Sequence, residues 1–434
     1  MKKKVLASLL VAAMTASMFA GCGDKKEENK EQSNTPATEK SGGDAPAATE
    51  VDYGSGEVKI WVADLAVDFT QEKANQFIKD TGADYKVTVE AVGEGDAAGN
   101  MITDVAGGAD IYGFAQDQIA RLVSAGALQQ LTGTGYDETI KADNDEGSII
   151  AATVGDNLYA FPLTSDNGYF LYYDKSVVKD PSTLEGIIAD CEAAGKNFYC
   201  EINSGYYAPA FFFGAGCTLA YETDNEGKFV DSTIDYASDK GVIAAKKMIE
   251  LASSSSFQNG STTDKTKKAA AIISGTWDAS AAQKTFKGNY ACAKLPTFKG
   301  ADGTDYQMGG FSGYKLLGVK PQTEAGKMKL CLDLAQYLSS EEVQLDRYNA
   351  VGWGPSNKAA QENDTVKSNE ALTAYKEQCQ YTIPQGQYPA DYWTLATSFG
   401  DDIVSGKLTT SSSDEDIMAA LQTFQDTCKG YAGK

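Results

Sequence analysis

The sequence predicts an α/β protein built from two lobes. The chain has 434 residues, of which 42% are apolar, and this is enough for two compact lobes with separate cores. A strand, a helix and a second strand follow one another at the start of the folded part, and this order predicts a parallel sheet. Five consecutive large residues, Tyr169 to Tyr173, indicate a further strand that is covered on both faces.

The first 21 residues have the pattern of a secretory leader. Three lysines follow Met1, and the apolar run after them ends near Ala20 and is too short to span a bilayer. Phe19-Ala-Gly-Cys22 resembles a bacterial lipobox, with Phe19 where the motif usually carries Leu. A plain secretory signal followed by a structural cysteine is the alternative. We predict a lipoprotein signal peptide over residues 1–21 and a lipid on Cys22.

A tether is predicted between this lipid and the folded part. From Gly23 to Glu50 there is no aromatic residue and no Val, Ile, Leu or Met. Such a segment cannot bury enough apolar surface to fold. We therefore expect residues 22–52 to be a disordered tether and the folded part to begin near Tyr53.

Charge and residue usage exclude several classes of function. The net charge is −22, and loss of the leader with its three lysines makes it −25, so we expect no nucleic-acid partner. The chain has no histidine, which is the commonest general base and metal ligand, so no metal or cofactor is predicted. The cysteines after Cys22 have no metal-binding spacing, and their odd number leaves at least one thiol unpaired. They are Cys191, Cys200, Cys217, Cys292, Cys331, Cys379 and Cys428.

The opening strands place polar residues at their carboxyl ends. Alternation over residues 58–62 predicts a first strand, and Asp64 follows it. A helix is predicted from a cap at Asp68 to a stop at Gly82, before a second strand over residues 85–91. A third strand, within residues 107–117, ends in three candidate residues, Phe114, Gln116 and Asp117. Ligands of parallel α/β sheets bind at such ends.

A polar patch separates two apolar strands in the middle of the chain. Ser165-Asp166-Asn167-Gly168 lies between the apolar residues that end at Leu163 and the strand from Tyr169. We predict that the chain crosses here between two cores, with Asp166 and Asn167 in a cleft. An ordinary loop before a core strand is the alternative that this stretch leaves open.

The remaining elements follow from periodicity. Strands are predicted at residues 198–202, 269–273 and 314–319, and helices at 184–188, 238–251, 324–339 and 341–348. A last helix is predicted from an apolar stripe that ends at Cys428.

Aromatic rings recur beside carboxylates or amides, most of them just past a predicted strand. A sugar ring has an apolar face and a polar edge, so it needs both kinds of group. For any single tryptophan a place in the core is the better interpretation, but for the whole set we favour a carbohydrate-binding groove. Its candidate residues are Asp64, Phe114, Gln116, Asp117, Asp166, Asn167, Tyr206, Tyr207, Trp277, Asp278, Trp353 and Trp393.

Several short motifs, spread from Val58 to about Ser405, resemble the extracellular solute-binding proteins of bacterial ABC sugar importers, in the maltose/maltodextrin-binding group. They include Val58-Lys-Ile-Trp61, Leu158-Tyr-Ala-Phe-Pro162, Tyr172-Tyr-Asp-Lys175 and Gly275-Thr-Trp277. The resemblance implies the type II periplasmic-binding-protein fold, with two α/β lobes, a ligand cleft between them and three crossing segments. The implied crossings lie near residues 163–168, 307–311 and 355–359. The implied lobes are 53–164 plus 312–358 and 165–311 plus 359–434.

The resemblance also implies a site and a function. The family's cleft positions fall on Asp64, Phe114, Asp117, Asp166, Tyr206, Trp277 and Trp393. Phe114 stands where a Trp is usual, so the particular sugar is left open. The implied function is a lipid-anchored, non-catalytic and monomeric receptor on the outer face of the cytoplasmic membrane of a Gram-positive cell. It would deliver an oligosaccharide, best guess a malto-oligosaccharide, to the permease subunits of an ABC importer.

Three alternatives remain open at this point. The receptor could take another class of oligosaccharide. Paired carboxylates such as Asp64, Asp117 and Asp166 could instead hydrolyse glycosides, but one of them would need a raised pKa in an apolar pocket, and their sequence neighbours are polar. A receptor for peptides or polyamines is the third and weakest alternative.

Overall fold

The computed structural model of this chain describes residues 51–260 and 268–432. The predicted signal peptide, the lipidation site at Cys22 and the tether up to residue 50 lie outside the described residues. Among the described residues, no helix combines the length and the apolar composition needed to span a membrane.

The strands are numbered in chain order. They are β1 (Ser55–Val62), β2 (Asp84–Ala91), β3 (Ile111–Ala115), β4 (Thr153–Val154), β5 (Asn157–Leu158), β6 (Ala160–Thr164), β7 (Tyr169–Asp174), β8 (Asn197–Tyr199), β9 (Leu219–Thr223), β10 (Phe229–Ile234), β11 (Phe257–Gln258), β12 (Ala269–Gly275), β13 (Tyr290–Ala293), β14 (Thr297–Lys299), β15 (Asp305–Gln307), β16 (Phe311–Ser312), β17 (Lys315–Val319) and β18 (Ile383–Pro384).

The helices are numbered in the same way. They are α1 (Val67–Thr81), α2 (Ala97–Thr103), α3 (Ile119–Ser124), α4 (Tyr136–Asp143), α5 (Glu146–Ala151), α6 (Leu184–Ala194), α7 (Pro209–Gly214), α8 (Asp239–Ala252), α9 (Ala279–Phe286), α10 (Ala325–Leu338), α11 (Glu341–Val351), α12 (Lys358–Gln361), α13 (Asp364–Lys367), α14 (Glu370–Gln378), α15 (Ala390–Leu395), α16 (Ser398–Val404) and α17 (Asp414–Lys429). Short 3₁₀ turns occupy Asp64–Ala66, Gln116–Gln118, Thr276–Asp278, Lys287–Asn289 and Cys379–Tyr381.

Two five-stranded sheets form the framework. The first has the order β2-β1-β3-β17-β6 and the second the order β11-β8-β12-β7-β13. The predicted parallel pairing holds for β1 with β2 and β3, whereas β17 runs antiparallel to both β3 and β6. The second sheet is also mixed, because β7 runs antiparallel to β12 and β13. The expectation of parallel sheets is therefore correct for only part of each sheet.

Each sheet carries its own hydrophobic core. The first core combines buried residues between Tyr53 and Leu163 with those between Leu316 and Trp353. The second core runs from Tyr169 to Phe311 and continues from Tyr388 to Cys428. A smaller cluster, which includes Phe170 and Tyr375, covers the other face of β7, so this strand is buried on both faces as predicted. The seven cysteines from Cys191 onwards are all free, and five of them are buried.

Three segments join the cores and touch one another. The amide of Ser165 donates to the carbonyl of Gly354 at 3.0 Å, and the amide of Asn167 donates to the carbonyl of Gly313 at 3.0 Å. The second crossing was expected at residues 307–311, but Met308 and Phe311 are buried in the second core. It lies instead between β16 and β17, because β16 still pairs with β18.

Local patterns predicted most element positions well. Helix α1 is terminated by Gly82, as predicted, and the φ of this glycine is 69°, in the left-handed region. Asp68 does not cap this helix, since the helix begins one residue earlier and Asp68 lies in its first turn. Ser238 caps α8 by accepting from the amide of Gly241. The predicted strand over residues 198–202 stops at Tyr199, where the chain turns and Ile202 donates to the carbonyl of Cys200.

Candidate functional site

A cavity of about 950 Å³ lies between the two cores. Three of the 3₁₀ turns follow β1, β3 and β12, within one residue of the strand end, and each contributes to the cavity wall. This is the arrangement expected of a ligand site at the carboxyl ends of strands. The lining residues are Ala63, Leu65, Glu94, Gly95, Asp96, Gly99, Asn100, Ala115, Asp117, Gln118, Arg121, Asn167, Tyr206, Trp277, Lys315, Trp353, Gln385, Ala390 and Trp393.

Four aromatic side chains in this cavity belong to the predicted set. The Tyr206 ring lies 6.3 Å from the Trp277 ring and 6.4 Å from the Trp393 ring, measured between centroids. Trp277 and Trp393 are both half-buried, so each keeps an accessible ring surface. Trp277 folds back over Gly275, where a Cβ atom would lie 2.2 Å from the indole, so only glycine fits there.

Trp353 forms the opposite part of the aromatic wall. It is packed in the first core, whereas Trp277, Trp393 and Tyr206 pack against the second. The ammonium of Lys315 lies 3.7 Å from the centroid of the Trp353 ring and 5.8 Å from that of Trp277. The cavity therefore places aromatic rings from both cores around one cation. We call Tyr206, Trp277, Trp353 and Trp393 the aromatic belt.

Asp117 is the buried carboxylate of the cavity. Its Oδ2 accepts a hydrogen bond of 3.2 Å from the indole N–H of Trp393, which links the two cores. Burial raises the pKa of Asp117 to about 7, against the opposing effect of the nearby Arg121 guanidinium and of the Trp393 hydrogen bond. Polar sequence neighbours suggested a solvated carboxylate here. That interpretation was wrong, because the fold packs Asp117 between Arg121, Trp393 and the cores.

Asp166 has a different position from the one expected. It is only 1% exposed, and it is not among the residues that line the cavity. Its Oδ2 accepts from the amide of Gly354 at 2.6 Å and from the hydroxyl of Thr276 at 2.7 Å. The side chain thus ties the first crossing to the third and to the turn that carries Trp277. Asn167, its neighbour, does line the cavity.

An arm of the second core, residues 385–393, docks onto the turn after β3. The Nε2 of Gln116 donates to the carbonyl of Gln385, and the Nε2 of Gln387 donates to the carbonyl of Gln116 at 2.9 Å. The amide of Tyr388 donates to the carbonyl of Asp117 at 3.3 Å. Gln116, a predicted sugar ligand, is therefore buried in this contact and is not one of the lining residues.

The other predicted residues do not line the cavity. Asp64 is exposed on its turn, between the lining residues Ala63 and Leu65. Phe114 is fully buried in the first core, so its ring does not face a ligand. Tyr207 is buried against Tyr169 in the second core, and Asp278 accepts a hydrogen bond of 2.6 Å from Ser274.

Sequence reasoning missed several lining residues, chiefly Lys315, Arg121 and Gln385. Lys315 is the second residue of the predicted strand at 314–319 and the first of β17, and a lysine there is typical of a solvated strand end. Gln385 lies in a loop without any local signal for a sheet or helix. Among the described residues, no group of three or more acidic or cysteine side chains could hold a metal ion. The arrangement offers stacking surfaces and hydrogen bonds.

Comparisons with known proteins agree with this geometry. A family model described as "Bacterial extracellular solute-binding protein" matches residues 72–374. The galactooligosaccharide-binding protein of Bacillus subtilis (strain 168) is 24% identical over 458 residues, covering 99% of this chain and 97% of the relative. The maltodextrin-binding protein MdxE of the same organism is 27% identical over 289 residues, covering 62% of this chain and 67% of the relative.

A solved structure extends the likeness to three dimensions. The maltodextrin-binding protein MalE1 from L. casei BL23, without ligand, matches with a TM-score of 0.72 at 25% identity, covering 87% of this chain and 99% of that one. The fold is therefore the two-lobed one of the maltose-binding proteins, with a cleft between the lobes. The first and second cores are the cores of these lobes.

Proposed function

The chain belongs to the bacterial extracellular solute-binding proteins, and we propose that it is a receptor that binds an oligosaccharide in its cleft and delivers it to the permease of an ABC importer. The observation that carries this proposal is the aromatic belt. Rings from both lobes surround a cavity that also contains polar side chains, and sugar rings need both.

The best candidate ligand is a malto-oligosaccharide, an α-1,4-glucan. Two of the relatives named above are maltodextrin-binding proteins, and a third is named for galactooligosaccharide. A cleft lined by three tryptophans from two lobes suits a chain of several sugar units better than a single one. Another oligosaccharide class is the alternative.

A titration with matched variants tests the sugar site. Maltotriose and longer malto-oligosaccharides are titrated calorimetrically into the parent and into Trp277→Ala and Trp393→Ala. Each substitution removes a stacking surface, and truncated aromatic anchors at the centre of an interface often cost ~2 kcal/mol or more, roughly thirtyfold in affinity. Trp61→Ala is the control, because Trp61 bonds Glu90 at 2.8 Å and does not line the cavity.

Two outcomes would overturn the site. Parent-like affinity in both cleft variants means that the sugar binds elsewhere. A loss of melting temperature with unchanged affinity means that the two rings support the core instead of a ligand. A thermal-shift panel of galacto- and malto-oligosaccharides then identifies the ligand class, because a ligand that binds only the folded state raises the melting temperature.

A glycoside-acting enzyme is the second candidate, because burial raises the pKa of Asp117 as a general acid requires. We favour the receptor because Asp117 is bonded to Trp393 and Asp166 does not line the cavity, so these two carboxylates do not flank one position for a scissile bond. Incubation with malto-oligosaccharides decides between the two. Release of shorter sugars would overturn the receptor proposal.

We further propose that the mature receptor is a monomer held at the outer face of the cytoplasmic membrane by a lipid on Cys22. The support is the leader and the lipobox-like Phe19-Ala-Gly-Cys22 in the sequence. Signal-cleaved Cys22→Ala protein is expected in the soluble fraction. If it stays membrane-bound like the parent, the anchor is elsewhere.

Lobe boundaries at 53–164 plus 312–358 and 165–311 plus 359–434 remain part of the proposal. The separate cores and the crossings after Leu163 and Phe311 support them. Between these lobes the sugar would be enclosed by rotation about the crossing segments.

A further inference from the structure

Lys315 is a lysine enclosed within the cleft. It is the first residue of β17, and its backbone pairs with Ala115 on one side and Thr164 on the other. The residue is only 5% exposed, yet it lines the cavity between the lobes. Its ammonium lies on the Trp353 ring, 3.7 Å from the centroid, with the Trp277 ring 5.8 Å away. The cation is thus placed where a ligand would lie against both lobes.

The charge of Lys315 has no anionic partner among residues 51–260 and 268–432, where its ammonium makes no ion pair or hydrogen bond. Two other buried lysines provide the comparison. Lys247 pairs with Glu185 at 2.8 Å and with Glu250 at 2.7 Å. Lys320 donates to two backbone carbonyls at 3.2 Å and lies 3.6 Å from a carboxylate. The Trp353 ring holds the Lys315 ammonium through a cation–π contact, which leaves its N–H groups without a protein acceptor in the described part of the chain.

Other hydrogen-bond donors around the cavity also lack partners. The indole N–H of Trp353 and the hydroxyl of Tyr206 are buried without a hydrogen bond, and both residues line the cavity. The Nε of Arg121, another lining residue, is also buried without a hydrogen bond. The carboxylates on the wall, Glu94, Asp96 and Asp117, make no ion pair with Lys315. These donors therefore have no acceptor among the described residues.

We propose that Lys315, with the Trp277 and Trp353 rings, forms a subsite that binds oxygen atoms of an uncharged sugar unit and excludes units that carry a positive charge. Hydroxyl and ring oxygens would accept from the ammonium, while the apolar faces of the sugar rest on the indoles. A protonated amine placed against the ammonium would be repelled by it, because like charges in close contact raise the free energy of binding. This inference rests on the proposed sugar receptor and makes its substrate class narrower.

The test compares two ligands of the same shape. One is maltotriose, and the other is maltotriose in which each 6-hydroxyl is replaced by an amine, which is protonated at pH 7. The parent is expected to bind the neutral ligand at least tenfold more tightly than the amine. Hydrogen bonds to a charged group are among the stronger ones, so Lys315→Met is expected to bind maltotriose about tenfold to a hundredfold more weakly. The preference for the neutral ligand should shrink in this variant, because the repelling charge is gone.

Two further variants make the result interpretable. Lys294→Met removes a lysine whose ammonium lies 5.1 Å from the Tyr381 ring and which does not line the cavity, so its binding should match the parent. Lys315→Gln keeps hydrogen-bond donors without the charge. It should bind maltotriose more tightly than Lys315→Met does, and its preference for the neutral ligand should shrink to the same extent. It also replaces Lys315→Met in the test if that variant does not fold.

The outcomes separate this inference from the proposed function. If the parent binds maltotriose and both Lys315 variants keep its affinity and its preference within twofold, the subsite is overturned and the receptor stands. If the parent prefers the amine, the subsite is overturned as well. If the parent binds no oligosaccharide of the thermal-shift panel, the receptor proposal fails and this subsite fails with it.

Discussion

Asp166→Ala tests whether this carboxylate holds the lobes together. In the folded protein its Oδ2 accepts from the amide of Gly354 and the hydroxyl of Thr276, and the residue is 1% exposed. Hydrogen bonds to charged groups contribute about 1.5–3 kcal/mol each, and a buried amide left without a partner costs about 1–3 kcal/mol. We therefore expect the free energy of unfolding to fall by about 3–5 kcal/mol. Sugar affinity of the fraction that remains folded should change less.

The assay is urea unfolding followed by circular dichroism, with Asp305→Ala as the matched control. Asp305 is an exposed aspartate that pairs with Lys299 at 3.1 Å, and such surface pairs contribute about 0–1 kcal/mol. Asp166→Asn keeps one carbonyl oxygen and should recover part of the loss. If Asp166→Ala unfolds within about 1 kcal/mol of the parent and instead loses sugar affinity, then Asp166 contacts the ligand and the crossing segments do not depend on it.

Three other predictions concern the same cleft. The folded-state pKa of Asp117, about 7, lies above the ordinary 3.8, so the contribution of Asp117 to stability is full below about pH 4 and is lost as the pH rises towards 7. In urea unfolding, the stability of Asp117→Asn relative to the parent should therefore rise by on the order of 2–4 kcal/mol between pH 4 and 7.5. A difference in unfolding free energy that stays constant with pH would refute the raised pKa. Phe114→Ala should lower the free energy of unfolding by about 3–5 kcal/mol without changing sugar affinity, because the ring is fully buried. Weaker sugar binding at unchanged stability would mean that Phe114 contacts the ligand. Small-angle scattering should give a smaller radius of gyration with saturating ligand than with a sugar that produces no heat in the titration, and equal radii would exclude closure.

Local sequence patterns predicted the elements where burial follows a single period. The final helix is an example, since Ile417, Leu421, Phe424 and Cys428 form the predicted apolar stripe and all four are buried. Strand direction was harder to predict. β17 joins the first sheet antiparallel to its neighbours, after the chain has returned from the other lobe. No local pattern near Lys315 predicts that direction.

The site was predictable in position but not in the direction of each side chain. Turns after strands carry Asp117 and Trp277 into the cavity, as their place in the sequence suggested. Phe114 is only three residues before Asp117, yet it is buried in the core, because it lies within β3, which is covered on both faces, whereas Asp117 lies in the 3₁₀ turn after the strand. The contacts of Asp166 with Gly354 and Thr276 join residues 110 or more positions apart in the chain, and no local pattern encodes them.

Because the aromatic belt is divided between the lobes, the proposed receptor would couple ligand binding to lobe closure. Trp353 and Lys315 belong to the first lobe, and Trp277 and Trp393 belong to the second. A ligand favours the closed state only by its difference in affinity for the two states, so a sugar that touches one lobe gains nothing from closure. The Asp117–Trp393 hydrogen bond also joins the lobes. On the other side of the belt Trp277 and Trp353 stand on opposite lobes with the Lys315 ammonium between them, so a sugar held there would favour closure.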